Sequence, residues 1–290
     1  MKTLYRLLAT TALLASASFV QAANVLVVLS DTGTLELKAG ETFATGFYLN
    51  EAMQPVKMLL DAGHQVTFVT PTGRAPTLDK GSINPMFFGG DTNSMNEHIK
   101  LLDKLAVTSP TNSPVVSLAR VAQIGYDQFD AVFVPGGHAP MQDLLTSKDL
   151  GKLLTAFHEN NKPTALVCHG PIALISTLPD ANTFTDSLTR SNKTAAQKWI
   201  YAGYKLTVFS NAEEEASKAQ LNGGEMKFYP QTALEQAGAK FSAQPLWQAN
   251  VVEDRELITG QNPASAIGVG EKLIARLAKK YRRDLIPGSR

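Results

Sequence analysis

Cys168 is the only cysteine among 290 residues, and it stands in the run Ala165-Leu166-Val167-Cys168-His169-Gly170-Pro171. A short apolar segment ends there and a Gly-Pro pair begins. This order predicts a strand, a tight turn carrying the thiol, and then a helix. Pro171 suits a first helical turn, where its missing N–H costs nothing, and Gly170 lets the chain bend without a Cβ clash. Unpaired N–H groups at a helix start favour a thiolate. The expected chemistry is nucleophilic, and His169 stands next in the chain. A thiol kept for its bulk alone would be a small buried hydrophobe.

Such a thiol needs a frame and partners. Val25-Leu26-Val27-Val28-Leu29-Ser30, Ala131-Val132-Phe133-Val134 and residues 164–167 are continuous apolar runs, as expected of strands buried on both faces. His64 to Thr70 alternates and reads as a further strand. Helical spacing predicts a helix capped by Thr45 and running to about Ala62, stopped by Gly63, and another over residues 150–160. Lys205 to Ser210 reads as a strand followed by Glu213-Glu214-Glu215. Residues 251–252 and 257–260 read as a hairpin turning at Glu253-Asp254-Arg255. Asn262-Pro263 opens a last helix with Ala266, Ile267, Leu273 and Leu277 towards the core. Residues 71–128 are irregular, with short helices expected at 97–106 and 115–124, and form an insertion that could overhang a site.

Strands alternating with helices give an α/β fold with a doubly wound, mostly parallel sheet flanked by helices. Ligands bind such sheets beyond the carboxyl ends of the strands. That rule gathers Cys168 and His169, the turn Gly136-Gly137-His138, Glu214 and Glu51 at one edge. Glu51 could instead be an acid favoured early in a helix, and Glu214 could form a capping box with Asn211. Glu213 is the substitute for Glu214. His64, His98 and His158 read as structural or exposed, and His138 as shaping the pocket only.

Lys2 and Arg6, the apolar residues 7–20 and Val20-Gln21-Ala22 read as a secretory signal peptide over residues 1–22. The mature chain, 23–290, is then one α/β domain of about 268 residues. Loss of Lys2 and Arg6 takes the formal net charge from +1 to −1. That balance argues against nucleic acid as a partner. The basic cluster at 279–283 reads as the solvated end of the last helix. No segment after the leader is long enough to span a membrane. The expected place is exported, most simply periplasmic, where an unpaired thiol suggests use.

These residues together resemble the ThiJ/PfpI superfamily, related to class I glutamine amidotransferase domains with their flavodoxin-like architecture. More narrowly they resemble its heat-shock-chaperone branch, which holds glutathione-independent glyoxalases. The resemblance rests on Thr45-Gly46 with Glu51, on Phe133 to His138, on residues 165–171, on Phe209 to Glu214, and on residues 257–265. It implies Cys168 as nucleophile, His169 as its partner, Glu214 orienting His169, and Glu51 bonded to the thiol as acid or base. It further implies an oxyanion hole from the main-chain N–H groups of Gly137 and His169.

The implied activity is conversion of a small reactive aldehyde, methylglyoxal to lactate, by a lyase or hydratase of D-lactate dehydratase type serving detoxification. The alternatives are a holdase-type stress chaperone, marked by an exposed apolar patch near Met86-Phe87-Phe88, and a small amidase or peptidase. No cofactor is expected. No metal is expected either, since adjacent Glu97 and His98 point to different helix faces. The expected partners are the small aldehyde and a second copy of the chain in a homodimer.

Overall fold

The computed structural model describes residues 22–284, apart from 192 and 196. The expected leader lies outside the described residues except for Ala22, and of the basic cluster only Lys279 has a described side chain. In chain order the strands are β1 (Asn24–Val28), β2 (Thr34–Glu36), β3 (Thr42–Ala44), β4 (Gln65–Thr70), β5 (Val116–Ser117) and β6 (Ala131–Val134), then β7 (Thr164–Val167), β8 (Lys205–Leu206), β9 (Lys240–Phe241), β10 (Val251–Asp254) and β11 (Leu257–Gly260). The α-helices are α1 (Leu49–Asp61), α2 (Thr92–Lys104), α3 (Leu118–Ile124), α4 (Lys148–Glu159), α5 (Ala181–Ser191), α6 (Asn211–Ser217), α7 (Pro230–Ala237) and α8 (Ala266–Asp284).

Seven strands form the central sheet in the order β10-β11-β7-β6-β1-β4-β5. All neighbours pair in parallel except β10 with β11, which form the expected hairpin, although Glu253 and Asp254 belong to β10 and the turn is Arg255-Glu256. Side chains alternate between sheet faces along each strand, so each apolar run feeds two cores. Leu26, Val28, Val132, Val134 and Leu166 pack against helices α3, α4, α5 and α7. Val25, Val27, Ala131, Phe133, Ala165 and Val167 pack against α1, α2 and α8. The chain leaves β1 for β4 on one side and returns to β6 on the other. The crevice at that reversal is where open α/β sheets take ligands.

Several expectations need correction. Thr45 does not cap α1. Its hydroxyl donates to Asp79 at 3.0 Å, and the helix begins at Leu49 after Tyr48. Residues 205–210 add no strand to the central sheet, because only β8 is regular there and it pairs with β9. Helix α2 starts at Thr92, where Asp91 caps it through the N–H groups of Asn93 and Ser94. Ile267 is 47% exposed and does not join the core. The segment after Cys168 is a 3-10 helix over Gly170–Thr177, not an α-helix.

Candidate active site

Cys168 follows β7 with φ +59°, in the left-handed region that non-glycine residues rarely adopt. Hydrogen bonds on both sides hold it there. Its N–H donates to the Gly260 carbonyl, and its carbonyl accepts from the Phe209 N–H, each at 2.9 Å. Strain of this kind costs roughly 1–3 kcal/mol and persists only where the surroundings impose it. The thiol is thereby turned out of the strand direction, over the strand ends.

Three groups line up through the thiol. Sγ lies 3.3 Å from His169 Nδ1, and His169 Nε2 lies 2.9 Å from Glu214 Oε1. On another side stands Glu51, in the first turn of α1 and fully buried. One of its oxygens accepts from the Gly136 N–H at 2.9 Å; the other, Oε1, is buried without a hydrogen-bond partner. Gly136 must be glycine. A Cβ there would come within 2.8 Å of Glu51 Oε2, the His169 main-chain nitrogen and Cys168 Cβ. Gly137, at φ +87°, must also be glycine, since a Cβ there would fall 2.1 Å from the Gly46 carbonyl oxygen.

Burial dominates the protonation of this cluster. It raises Glu51 to about 8, although contact with the thiol and the N–H groups of Gly136 and Gly137 act the other way. It also raises the thiol well above its ordinary value, and the neighbouring Glu51 carboxyl adds to the rise. The free site therefore holds a protonated thiol beside a neutral carboxyl. Desolvation thus acts against the N–H groups that favour a thiolate at this turn. Burial lowers His169 to about 3 and raises Glu214 to about 7. Once Glu214 is ionised it can only accept, so Nε2 carries the imidazole proton. Nδ1 is then free to take a proton from sulfur.

Glu213 and Glu214 are sequence neighbours with separate surroundings. Glu213 is the capping-box partner of Ser210, the role weighed above for Glu214 with Asn211. Its carboxylate accepts from the Ser210 N–H and hydroxyl, the Gln261 and Asn262 amides, and the Trp247 N–H, at 2.8–3.1 Å. Glu214 alone reaches His169.

The expected site residues Cys168, His169, Glu51, Glu214 and Gly137 are thus brought together. A cavity of about 200 Å³ opens over Cys168 and is walled by Tyr48, Met86, Phe87, Phe209, Trp247 and Pro263. Met86 and Phe87 come from the 71–128 segment expected to overhang the site. Tyr48, Phe209 and Trp247 were not foreseen as site residues. Trp247 could have drawn notice as the one aromatic residue in the irregular stretch Gln244 to Asn250.

His138 lies beside the line, its ring centre 4.5 Å from that of His169. Its Nδ1 is buried without a partner, and burial, with His169 adding, lowers it to about 3. His138, His169 and Glu214 each offer one ligand atom, all within 4.8 Å of one another. An ion there would compete for the His169 nitrogen and Glu214 oxygen that now bond each other. In the insertion, His98 Nδ1 instead bonds the Ser94 carbonyl at 2.7 Å.

The profile of the family described as ThiJ/PfpI family-like matches residues 43–222. A probable glutathione-independent glyoxalase of Schizosaccharomyces pombe is 30% identical over 261 residues, covering 84% of this chain and 94% of that protein. A protein/nucleic acid deglycase of Staphylococcus aureus is 26% identical over 259 residues, covering 86% of this chain and 77% of that protein. The crystal structure of glyoxalase III from Candida albicans superimposes with a TM-score of 0.64 at 22% identity, over 87% of this chain and 96% of that one.

Proposed function

This chain belongs to the ThiJ/PfpI family, and from that premise we propose that it is a glutathione-independent glyoxalase acting on small 2-oxoaldehydes, with Cys168 as nucleophile. One observation carries the reading. A buried thiol faces an imidazole backed by a carboxylate, and a second buried carboxyl, Glu51, raised by burial, stands beside it across Gly136. Peptide or amide hydrolysis with a thiol uses the first arrangement only. An internal proton shift between adjacent carbons also calls for a second acid–base group beside the sulfur. The names of the Schizosaccharomyces and Candida relatives support the same activity.

In the proposed sequence His169 Nδ1 takes the thiol proton as sulfur attacks the aldehyde carbon. The oxygen of the hemithioacetal is held by the N–H groups of Gly137 and His169 and is then protonated. Glu51 or His169 carries the proton from the aldehyde carbon to the neighbouring carbon by way of an enediol. The first carbon is oxidised to a thioester and the second reduced to an alcohol, so no outside electron acceptor enters. Water then cleaves the thioester, releasing the 2-hydroxy acid and restoring the thiol. The leader read over residues 1–22 supports an exported, periplasmic setting for this chemistry.

Lactate formed from methylglyoxal without glutathione tests the proposal. The wild-type chain is expected to produce it. Cys168→Ala is expected to lose at least about 10³-fold, since covalent catalysis ends with the nucleophile. Equal rates in the two proteins, or no lactate from either, would overturn the reading.

A further inference from the structure

Trp247 is a second strained residue at this site. It sits at φ +66° with 49% of its surface exposed, an expensive place for a large aromatic residue. Its main-chain N–H is gripped at 3.1 Å by Glu213, a fully buried carboxylate. The Asn262 amide donates at 2.8 Å to the carbonyl of the next residue, Gln248. The conformation is therefore imposed from within the protein. It sets the indole over the mouth of the cavity, its ring centre 5.9 Å from that of Phe209. Phe209 in turn stacks on His169 at 4.7 Å. Tyr48 and Phe87, which line the same cavity, meet edge-on at 5.4 Å.

The cavity is aromatic on its walls and reactive at its floor. None of the residues lining it is Lys, Arg, Asp or Glu. A charged substituent would thus be desolvated there without a counter-charge. The volume, about 200 Å³, exceeds what a methyl group needs. An apolar cavity of about 150 Å³ holds a benzene ring. A neighbouring hollow of about 510 Å³ shares Met86, Phe87, Trp247 and Pro263, so these side chains form the partition between the two.

Building on the glyoxalase reading, we propose that the walls around Trp247 are a subsite for an uncharged aromatic substituent, making aryl-2-oxoaldehydes preferred substrates and Trp247 the residue that selects them. The ring would slot among Trp247, Phe209, Tyr48 and Phe87, leaving the aldehyde carbon over Sγ. Ring pairs of this kind add to simple area burial. Methylglyoxal fills only the floor.

The test has two arms. In the first, kcat/KM is measured for methylglyoxal, phenylglyoxal and 4-carboxyphenylglyoxal. Phenylglyoxal is expected to exceed methylglyoxal by about tenfold, mainly through KM, and the added carboxylate to abolish the gain. Trp247→Ala should reduce the phenylglyoxal-to-methylglyoxal ratio about tenfold, and Trp247→Phe should restore most of it. An unchanged ratio in Trp247→Ala, or preference for methylglyoxal in the wild type, overturns the subsite.

The second arm needs no turnover. Mandelate and lactate, the corresponding 2-hydroxy acids, are titrated calorimetrically into Cys168→Ala. Mandelate should bind about tenfold more tightly, and adding Trp247→Ala should erase the difference. Equal affinities overturn the subsite even if methylglyoxal is turned over. Tight mandelate binding without turnover of any oxoaldehyde upholds the subsite and overturns the glyoxalase reading instead.

Discussion

The central sheet carries a histidine–glutamate pair at each end, fully buried at one and half-buried on its histidine side at the other. At the carboxyl ends of the strands, His169 and Glu214 meet at 2.9 Å, each side chain 2% exposed. At the amino ends, His158 and Glu256 meet at 2.7 Å, with the carboxylate again buried. The main chain fixes that second position, because Thr164 opens β7 by donating to the Glu256 carbonyl. The pairs differ in what surrounds them. Glu256 also accepts from the Tyr204 hydroxyl at 3.2 Å, and the Arg255 guanidinium lies 3.2 Å above the centre of the Tyr204 ring. Glu214 has His169 for its ring-nitrogen partner, and the other nitrogen of His169 faces a thiol. A histidine–glutamate contact thus becomes reactive or structural by its third partner. Spare hydrogen-bonding capacity and a nucleophile make one end a site; a hydroxyl and a cation close the other.

Changing each glutamate to glutamine is the most direct way to break this comparison. Glu214→Gln keeps an acceptor for Nε2–H but removes the charge that would stabilise an imidazolium. Turnover is expected to fall by roughly 10²-fold or more, within the range for lost acid–base catalysis, with folding intact. Glu256→Gln is expected to leave kcat/KM unchanged and to cost about 1–3 kcal/mol of stability in urea unfolding, as for a disturbed buried hydrogen-bond network. If Glu256→Gln abolished turnover in folded protein, or Glu214→Gln did not affect it, the division between the two ends would fail.

Glu51 sharpens the contrast, since a reactive end should be costly to keep. Its carboxyl titrates at about 8 in the folded chain against 4.5 as an ordinary glutamate. Between those values the unfolded chain releases the proton and the folded chain retains it. Stability therefore falls as pH rises through that window, by about 1.4 kcal/mol per unit. Glu51→Gln removes the penalty. It is expected to gain nothing near pH 4 and about 3 kcal/mol at pH 7, on the linkage just given, while losing activity. Melting curves of both proteins from pH 4 to 8 check this; a gain independent of pH would contradict it.

The pH profile of kcat/KM makes a smaller demand. Below about 7 Glu214 is protonated and donates to Nε2, which leaves the proton on Nδ1 and no base facing the thiol. Activity should rise with pH through that value by up to tenfold per unit. Above about 8 Glu51 ionises and its charge opposes the thiolate, so activity should fall. In Glu214→Gln the acidic limb should disappear. A profile still rising at pH 10 would exclude Glu51 as the neutral partner.

How far the chain could be read beforehand follows the same division. β6 and β7 match the apolar runs residue for residue, because a strand buried on both faces needs no partner information to be recognised. Cys168 and Gly137 were legible because turns leave local marks, and Glu51 because helical spacing marks α1 even where its start was misplaced at Thr45. The β2–β3 hairpin was not, since its three-residue strands are too short to show alternation. Nor was the choice between Glu213 and Glu214. They are sequence neighbours that α6 turns to different sides, and the tertiary positions of Gln261, Asn262 and Trp247 decide which faces His169. Ile267 shows the limit of periodicity: it follows buried Ala266 into α8 but takes the solvent side.

The smallest effect is expected at the structural end, where two small terms oppose each other. Arg255 occupies the β10–β11 turn at φ +52°, again left-handed backbone, while its guanidinium covers the Tyr204 ring. Arg255→Ala keeps the backbone cost and loses the cation–π contact, a loss of about 0.5–1 kcal/mol. Arg255→Gly loses the same contact but relieves a left-handed residue, a gain of about 0.4–1 kcal/mol offset by the freer unfolded chain. Glycine should therefore be the more stable of the two variants, by a few tenths of a kcal/mol in urea midpoints. If alanine were equal to glycine or better, the turn would be unstrained. The positive φ at Arg255 would then lack the cost argued for Cys168 and Trp247, whose conformations the reactive end maintains through buried hydrogen bonds.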